Sequence, residues 1–390
     1  MYKISLSQKK DTRGGGSANW ISFFINLFFT LSGLLLLYNA SSLQEAGRPK
    51  SISTRGSRNS DTKTLTLTAA AAAASTSSIP RRKRLALVVL CRESDTKELI
   101  PSIHSFDLAY SITLYPRDLI VFSDKPWSIS AQNDVSAATS MKVIYVVLDS
   151  TSEWTTPTSV NRSRFDAILS GSNYYGNTES YRHMCRFFAG PIFLNKALQN
   201  YDYAWRMDSH VRYLCDLQTP DPIERMISSG AVYGYVLRQT EHLHTVPTLW
   251  QTMAKYAKEK NLVENLRLWN VQPDQSMPKV CHYWNNFEIT NLDFFRSESY
   301  QALFRYLDES GGFFYERWGD APVRTFALML LSEPRRVLQF EDVAYQHPWW
   351  YKCTDTCKRG KLPINESKCI PDPEIQPHQS TDGKICRIGE

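Results

Sequence analysis

Aromatic residues are absent from positions 41 to 84, and only two acidic residues, Glu45 and Asp61, occur there. Ser, Thr, Ala, Arg and Lys dominate the segment, with an unbroken alanine run from Ala69 to Ala74. Such a composition buries too little apolar surface to offset chain entropy, which excludes a packed domain. Residues 39–84 therefore read as a flexible stem, of a kind that carries O-linked sugars. Cysteine is also missing from the first 90 residues; all eight lie between Cys91 and Cys386.

The shortage of acid in the stem decides the charge argument. The chain totals +6, of which the stem carries +7 and the first twenty residues +3, leaving residues 85–390 at −4. The basic balance belongs to the tail and stem, so the folded part lacks the electrostatic footprint of a nucleic-acid binder. Arg81-Arg82-Lys83-Arg84 sits at the junction and reads either as a solvated charge run or as a basic processing site.

From Ala18 to Tyr38 the sequence is apolar apart from Asn19, Ser22, Asn26, Thr30 and Ser32. As a helix that span crosses a hydrocarbon core of about 30 Å. Lys3, Lys9, Lys10 and Arg13 precede it against Asp11 alone, which keeps residues 1–17 in the cytosol and sends the rest to the other side. The length favours an uncleaved anchor, although Asn39-Ala40-Ser41-Ser42 leaves a cleaved signal peptide partly open. All the cysteines then lie in an oxidising compartment, where an even count suits pairing. In that setting a disulfide-tied tail, residues 358–390, is favoured over zinc for Cys353, Cys357, Cys369 and Cys386. The sequons at Asn161 and Asn365 are consistent with the same compartment.

Roughly 300 residues from Leu85 onward remain for a catalytic-size domain, placed at 85–357. Leu85–Cys91, Leu119–Phe122 and Met141–Leu148 are apolar runs of strand length, and Glu98–Tyr110 between the first two has helical spacing. Strand, helix, strand implies an α/β sheet, largely parallel, with ligands at the carboxyl ends of its strands. Tyr201–Met207 reads as a fourth buried strand ending in Asp208-Ser209-His210. Alternate strand residues share a face, so Asp208 and His210 are candidates to face one divalent cation. A capping Asp beside an exposed His is the competing reading.

Ser180-Tyr-Arg-His-Met-Cys-Arg-Phe187, Tyr201–Arg206, Tyr233-Gly-Tyr235, Trp284-Asn-Asn-Phe-Glu288-Ile289, Phe295-Arg-Ser-Glu298, Gly311–Pro322 and Tyr345-Gln-His347 occur in that order. Together they resemble the fungal α-1,2-mannosyltransferases of glycosyltransferase family 15. The resemblance implies a type II Golgi membrane protein with a GT-A fold, a Rossmann-like mixed sheet flanked by helices and preceded by one transmembrane helix. It also implies a retaining transfer of mannose from GDP-mannose to mannose-terminated N- or O-linked glycans, with Mn²⁺. By the same resemblance Asp208 and His347 hold the metal, Tyr181 lies near the donor and Glu288 is the nucleophile or the stabiliser of an oxocarbenium-like ion.

One departure stands out: Asp208-Ser209-His210 occupies the place of the family's Glu-Pro-Asp, which leaves a catalytically silent relative as the alternative and makes His210 a candidate third ligand. Arg92, Arg186 and Arg206 are candidates for donor phosphates, and Asp124 and Asp320 for donor hydroxyls, each weighed against a structural ion pair. Gly311-Gly312 followed by Phe313-Phe314-Tyr315 suits either a ring platform for a sugar or simple packing. Gln239–Pro247 is the expected acceptor loop.

Overall fold

Leu85–Leu90 (β1), Arg117–Ser123 (β2) and Lys142–Val147 (β3) pair in parallel, with the helices Thr96–Ala109 and Ile129–Ala137 in the two crossovers. The computed structural model describes residues 83–110, 117–171, 176–214, 221–272, 274, 281–348, 350–352 and 369–370, all in the unit Ser77–Glu390. The predicted anchor, the stem up to residue 82 and most of the C-terminal tail lie outside the described residues. Among the described residues no helix is long and apolar enough to cross a membrane.

Strand β1 is buried almost throughout, as expected of a strand covered on both faces. Its alternate residues divide between two cores. Ala86 and Val88 join Ile120 and Phe122 on one face, whereas Leu85, Leu87 and Val89 join Leu119 and Val121 on the other. Tyr203–Met207 (β4) adds in parallel on the far side of β1, pairing Val88 with Arg206. The stem junction is tied in here: the Arg84 amide donates to Asp202 Oδ2 at 2.8 Å, and its guanidinium lies 3.3 Å from Asp118.

The remaining strands are Arg212–Tyr213 (β5), Tyr233–Tyr235 (β6), Arg238–Thr240 (β7), Cys281–Tyr283 (β8), Phe287–Asn291 (β9), Val337–Gln339 (β10), Tyr345–His347 (β11), Trp350–Lys352 (β12) and Cys369–Ile370 (β13). The main sheet runs β10-β6-β9-β4-β1-β2-β3. It is mixed, because β9 lies antiparallel to both β4 and β6. That reversal brings the start of β9 to the carboxyl end of β4, pairing Arg206 with Glu288 and Met207 with Phe287.

Strands β13, β12, β11 and β5 form a second sheet, in which Tyr345 pairs with Tyr213 and Gln346 with Arg212. The register continues toward the turn after β4, so His347 arrives beside Asp208. The helix Asp320–Leu331 is buried along nearly its whole length, as expected where apolar residues occupy every face. Pro322 falls in its first turn, where no amide donor is needed.

The doublet Gly311-Gly312 serves packing. Gly311 takes φ +74° at the end of the helix Glu298–Ser310, and a Cβ on Gly312 would come within 2.2 Å of the Trp318 indole. Phe313 and Phe314 are fully buried, so the ring-platform reading does not hold for them. Pairing of all eight cysteines fails as well: Cys91 and Cys185 are free and buried, while Cys281 is disulfide-bonded.

Candidate active site

The carboxyl end of β4 gathers the charged residues. Chain direction reverses there in a turn closed by the Val211 amide on the Asp208 carbonyl at 3.1 Å, so Asp208 is the last residue in line with the strand. Asp208 Oδ2 lies 3.9 Å from His347 Nε2, and Asp208 Oδ1 accepts from Arg206 Nε at 3.0 Å. Trp284 packs edge-on against the His347 ring at 5.0 Å. Burial holds the His347 imidazole below its ordinary value, opposed by Asp208 and assisted by His210 and Arg206. The neutral ring is the form that ligates metal.

His210 is not gathered in as a third ligand. Its Nδ1 is 2.8 Å from Ser209 Oγ, the residue is exposed, and no group of three His, Cys, Asp or Glu suited to a cation exists among the described residues. The prediction rested on strand alternation; the turn at Asp208 ends the strand one residue too early for that rule to apply. What remains is an aspartate oxygen and an imidazole nitrogen converging, a donor set that fits Mn²⁺ with the rest of its shell left to a diphosphate and water. Nε2 is the nitrogen of His347 that faces Asp208, and the buried Nδ1 has no hydrogen-bond partner among the described residues.

Arg206 is the hub. Its guanidinium is buried, stacks 3.7 Å above the Phe188 ring, and reaches from Asp208 to Asp320, donating from Nη1 to Asp320 Oδ2 at 2.6 Å. Asp320, the first residue of its helix, also accepts from Asn285 Nδ2 at 2.6 Å. A carboxylate at a helix N-terminus is favoured by the macrodipole. Both residues were predicted to touch the donor; Arg206 Nε and Nη1 and Asp320 Oδ2 are spent on each other, on Asp208 and on the turn between β8 and β9.

Glu288 lies on the same face of the sheet as Arg206, 3 % exposed. That burial excludes a solvated surface ion pair. Arg324 Nε approaches its Oε2 at 3.1 Å, off the hydrogen-bonding line. Burial raises the proton affinity of Glu288; Arg324 and Arg206 lower it, Asp320 raises it, and the Tyr233 hydroxyl lowers it.

Tyr181, on the helix Glu179–Ala189, accepts from Arg317 Nη1 at 3.1 Å, and burial pushes its phenol well above the ordinary value. The same arginine donates to Glu241 at 3.4 Å, in the segment predicted as the acceptor loop. That segment is anchored: the Arg317 amide bonds the Thr245 carbonyl at 2.9 Å, and Thr248 Oγ1 bonds Glu316 at 2.6 Å. Arg92 and Asp124 meet at 3.4 Å just past the ends of β1 and β2, with Arg92 Nη2 also donating to Ser180 Oγ at 2.6 Å. That position at the edge of the sheet suits a nucleotide.

Arg186 does not join them. Its fork is filled by Asp308, at 2.7 and 2.8 Å, and its third arm donates to the Ser152 carbonyl at 2.9 Å. It ties two helices together, and the ion-pair alternative holds. Sequence reasoning also missed Asn285, Arg317 and Arg324. A signal for the last was available: Asp320 and Arg324 stand one helical turn apart in an otherwise apolar segment, a spacing that pairs charges on one helix face.

A reversed strand inside a parallel sheet, an aspartate and a histidine converging at the carboxyl end of β4 and a buried carboxylate between arginines are the arrangement a nucleotide-sugar site calls for. The sequence matches the glycolipid 2-alpha-mannosyltransferase family over residues 41–382, and the chain belongs to that family of glycosyltransferases. It is 35 % identical over 298 residues to an O-glycoside alpha-1,2-mannosyltransferase homolog of Schizosaccharomyces pombe, covering 74 % of this chain and 77 % of the relative. Core-mannan synthase A of Aspergillus fumigatus, solved in a Mn/GDP form, superposes with a TM-score of 0.67 at 31 % identity, over 73 % of this chain and 80 % of that one. The GDP complex of the mannosyltransferase Ktr4p of S. cerevisiae gives the same TM-score at 28 % identity, over 74 % and 78 %.

Proposed function

We propose that this glycosyltransferase moves mannose from GDP-mannose onto mannose-terminated protein-linked glycans, forming α-1,2 linkages with retention, on a GT-A type scaffold. We place it in the Golgi membrane, anchored by residues 18–38 with the folded domain in the lumen; the basic cluster Lys3, Lys9, Lys10 and Arg13 ahead of that span supports the orientation. The observation that carries the chemistry is the convergence of Asp208 and His347 beside the Arg206–Asp320 pair, with Glu288 next to them on the same sheet face.

Asp208 and His347 would hold Mn²⁺, which when bound would supply positive charge to the diphosphate. The chain's own groups do the rest. Arg92, at the end of β1, is placed to meet phosphate oxygens, with Asp124 setting its direction. Arg206 fixes the Asp208 carboxylate by holding its Oδ1, so Oδ2 is the oxygen presented toward His347. Tyr181, fixed by Arg317, lines the donor side. Glu288 offers a negative charge to the anomeric carbon as its bond to the leaving group breaks, through either covalent attack or electrostatic stabilisation. Its burial among arginines keeps water away, so its charge acts in a low-dielectric setting.

The test is mannose transfer by the purified protein from GDP-mannose to α-methyl mannoside, with and without Mn²⁺, the linkage read by NMR. A metal-dependent α-1,2 dimannoside is expected. GDP-mannose binding without transfer would instead identify a silent relative.

A further inference from the structure

Arg324 stands in the interior of the helix Asp320–Leu331, 1 % exposed, among Val323, Thr325, Phe326 and Ala327, all of them buried. A guanidinium there carries a large desolvation cost, and a fold needing only packing at this point is served better by an apolar residue. Its contacts are not those of a structural ion pair. Arg186, in the same domain, shows the structural form, with its fork closed on Asp308. Arg324 instead spends Nη2 on the Phe188 carbonyl at 2.6 Å and lies against the Phe193 and Phe295 rings at 4.8 and 5.1 Å. Toward Glu288 it presents only Nε, at 3.1 Å from Oε2 and off the hydrogen-bonding line.

Arg324 Nε and Glu288 Oε2 at this contact, and Arg324 Nη1 beside them on the same guanidinium, are buried without a geometrically ideal hydrogen bond among the described residues. They border a small cavity shared with Arg206, Thr290, Ala204 and Val88, whose volume for a water's centre is about 10 Å³. That is room for a single water. The carboxylate is thus compensated by charge, with the Arg324 guanidinium and the Tyr233 hydroxyl against it, but no arginine closes a fork on it as Arg186 does on Asp308.

We propose that Arg324 is a positioning residue for Glu288: anchored on the Phe188 carbonyl and two aromatic rings, it fixes the orientation and negative charge of the carboxylate without closing a bidentate fork on it. The proposal rests on the reading of Glu288 as the group facing the transferred sugar. The other charged or titratable groups around Glu288 are Arg206 on β4, Asp320 on the same helix as Arg324, Tyr233 on β6 and Tyr300 on the helix Glu298–Ser310.

The experiment is a double-substitution cycle in the intact protein, using Arg324→Met, Glu288→Gln and both together. GDP affinity in the presence of Mn²⁺, kcat and the pH dependence of kcat are measured for each. Arg324→Met should lower kcat about a hundredfold, the scale of a misplaced catalytic group, with GDP affinity nearly unchanged. Its acid limb should move to higher pH, because a lost neighbouring cation raises a carboxyl's proton affinity. In the Glu288→Gln background the same change should cost nothing further, since a residue acting through Glu288 has nothing left to position. Multiplying losses, or a wild-type kcat in Arg324→Met, would overturn the proposal. Should Arg324→Met fail to fold, Arg324→Lys carries the test: reduced kcat at unchanged GDP affinity, with no added loss on Glu288→Gln, supports the role, and wild-type kcat overturns it. A wild-type kcat in Glu288→Gln alone removes the underlying reading of Glu288, a failure distinguishable from that of Arg324.

Discussion

Substituting Met for Arg206 removes the cation that joins Asp208 to Asp320 while roughly keeping the volume packed on Phe188. The two carboxylates respond differently. Asp208 has a side chain 31 % exposed and is partly rescued by solvent, whereas the Asp320 side chain is 7 % exposed and retains the Asn285 amide as a donor. Removing one partner of a buried pair costs about 3–5 kcal/mol, and the retained Asn285 donor argues for the lower end, about 3. For a domain near 300 residues about 2 °C of melting temperature is lost per kcal/mol, so a fall of about 6 °C is expected in a thermal melt. Turnover should drop about a hundredfold because Asp208 Oδ1 loses its orienting donor. Adding Asp320→Asn neutralises the stranded charge, and the double variant should regain most of the stability but none of the activity. A melt within 1 °C of wild type for Arg206→Met, about half a kcal/mol on this scale, would refute the hub assignment.

The turn at Asp208 makes His347 and His210 separable: His347→Ala should abolish Mn²⁺-dependent transfer, while His210→Ala should leave the Mn²⁺ titration of activity within about twofold, about 0.4 kcal/mol. Gly312→Ala drives a methyl into the Trp318 indole and should cost about 1–3 kcal/mol of stability in denaturant unfolding, with kcat per folded molecule unchanged. His183 gives a pH prediction. Burial lowers its proton affinity, Glu179 opposes, and Arg186 and Arg162 assist, so the unfolded chain takes up the proton first as pH falls. The stability gained from keeping this ring neutral is therefore full above about pH 6.5 and is lost as pH falls toward its depressed folded value, and melts of His183→Phe should decline less steeply across that window. An equal acid slope in the variant would remove His183 as the cause.

How much of this was legible before the fold was known differs by element. Strands β1 and β2 were readable because a strand buried on both faces is a continuous apolar run, and β3, only partly buried at the sheet's edge, keeps the same apolar run; the observed bounds of the three differ from the expected ones by at most two residues at either end. The antiparallel course of β9 was not, since Phe-Glu-Ile-Thr-Asn carries no mark of its direction; that depends on which edge of β4 remains open after β1 has paired. Among the arginines, residue type could not separate Arg186, whose fork Asp308 fills, from Arg206, whose fork bridges two site carboxylates. Both are buried, and only the third dimension shows which carboxylate each one meets. The rule that suggested His210 failed at a single turn hydrogen bond from Val211 to Asp208.

The same geometry explains where this site tolerates change. Arg206 and Glu288 lie directly opposite each other across the β4–β9 ladder, and Asp320 and Arg324 lie one turn apart on one helix. Four charges are therefore placed by two rigid relations, a strand register and a helical pitch, rather than by loops. A one-residue slip between β4 and β9 would turn Glu288 to the opposite face, into the core beside Trp205 and Phe340, where no arginine is paired with it. Insertion in the segment after β7 leaves both relations intact, whereas a single-residue insertion within β9 should abolish transfer even if the protein still folds. Loop changes can thus accumulate while the arrangement of Arg206, Glu288, Asp320 and Arg324 is carried by the sheet and one helix.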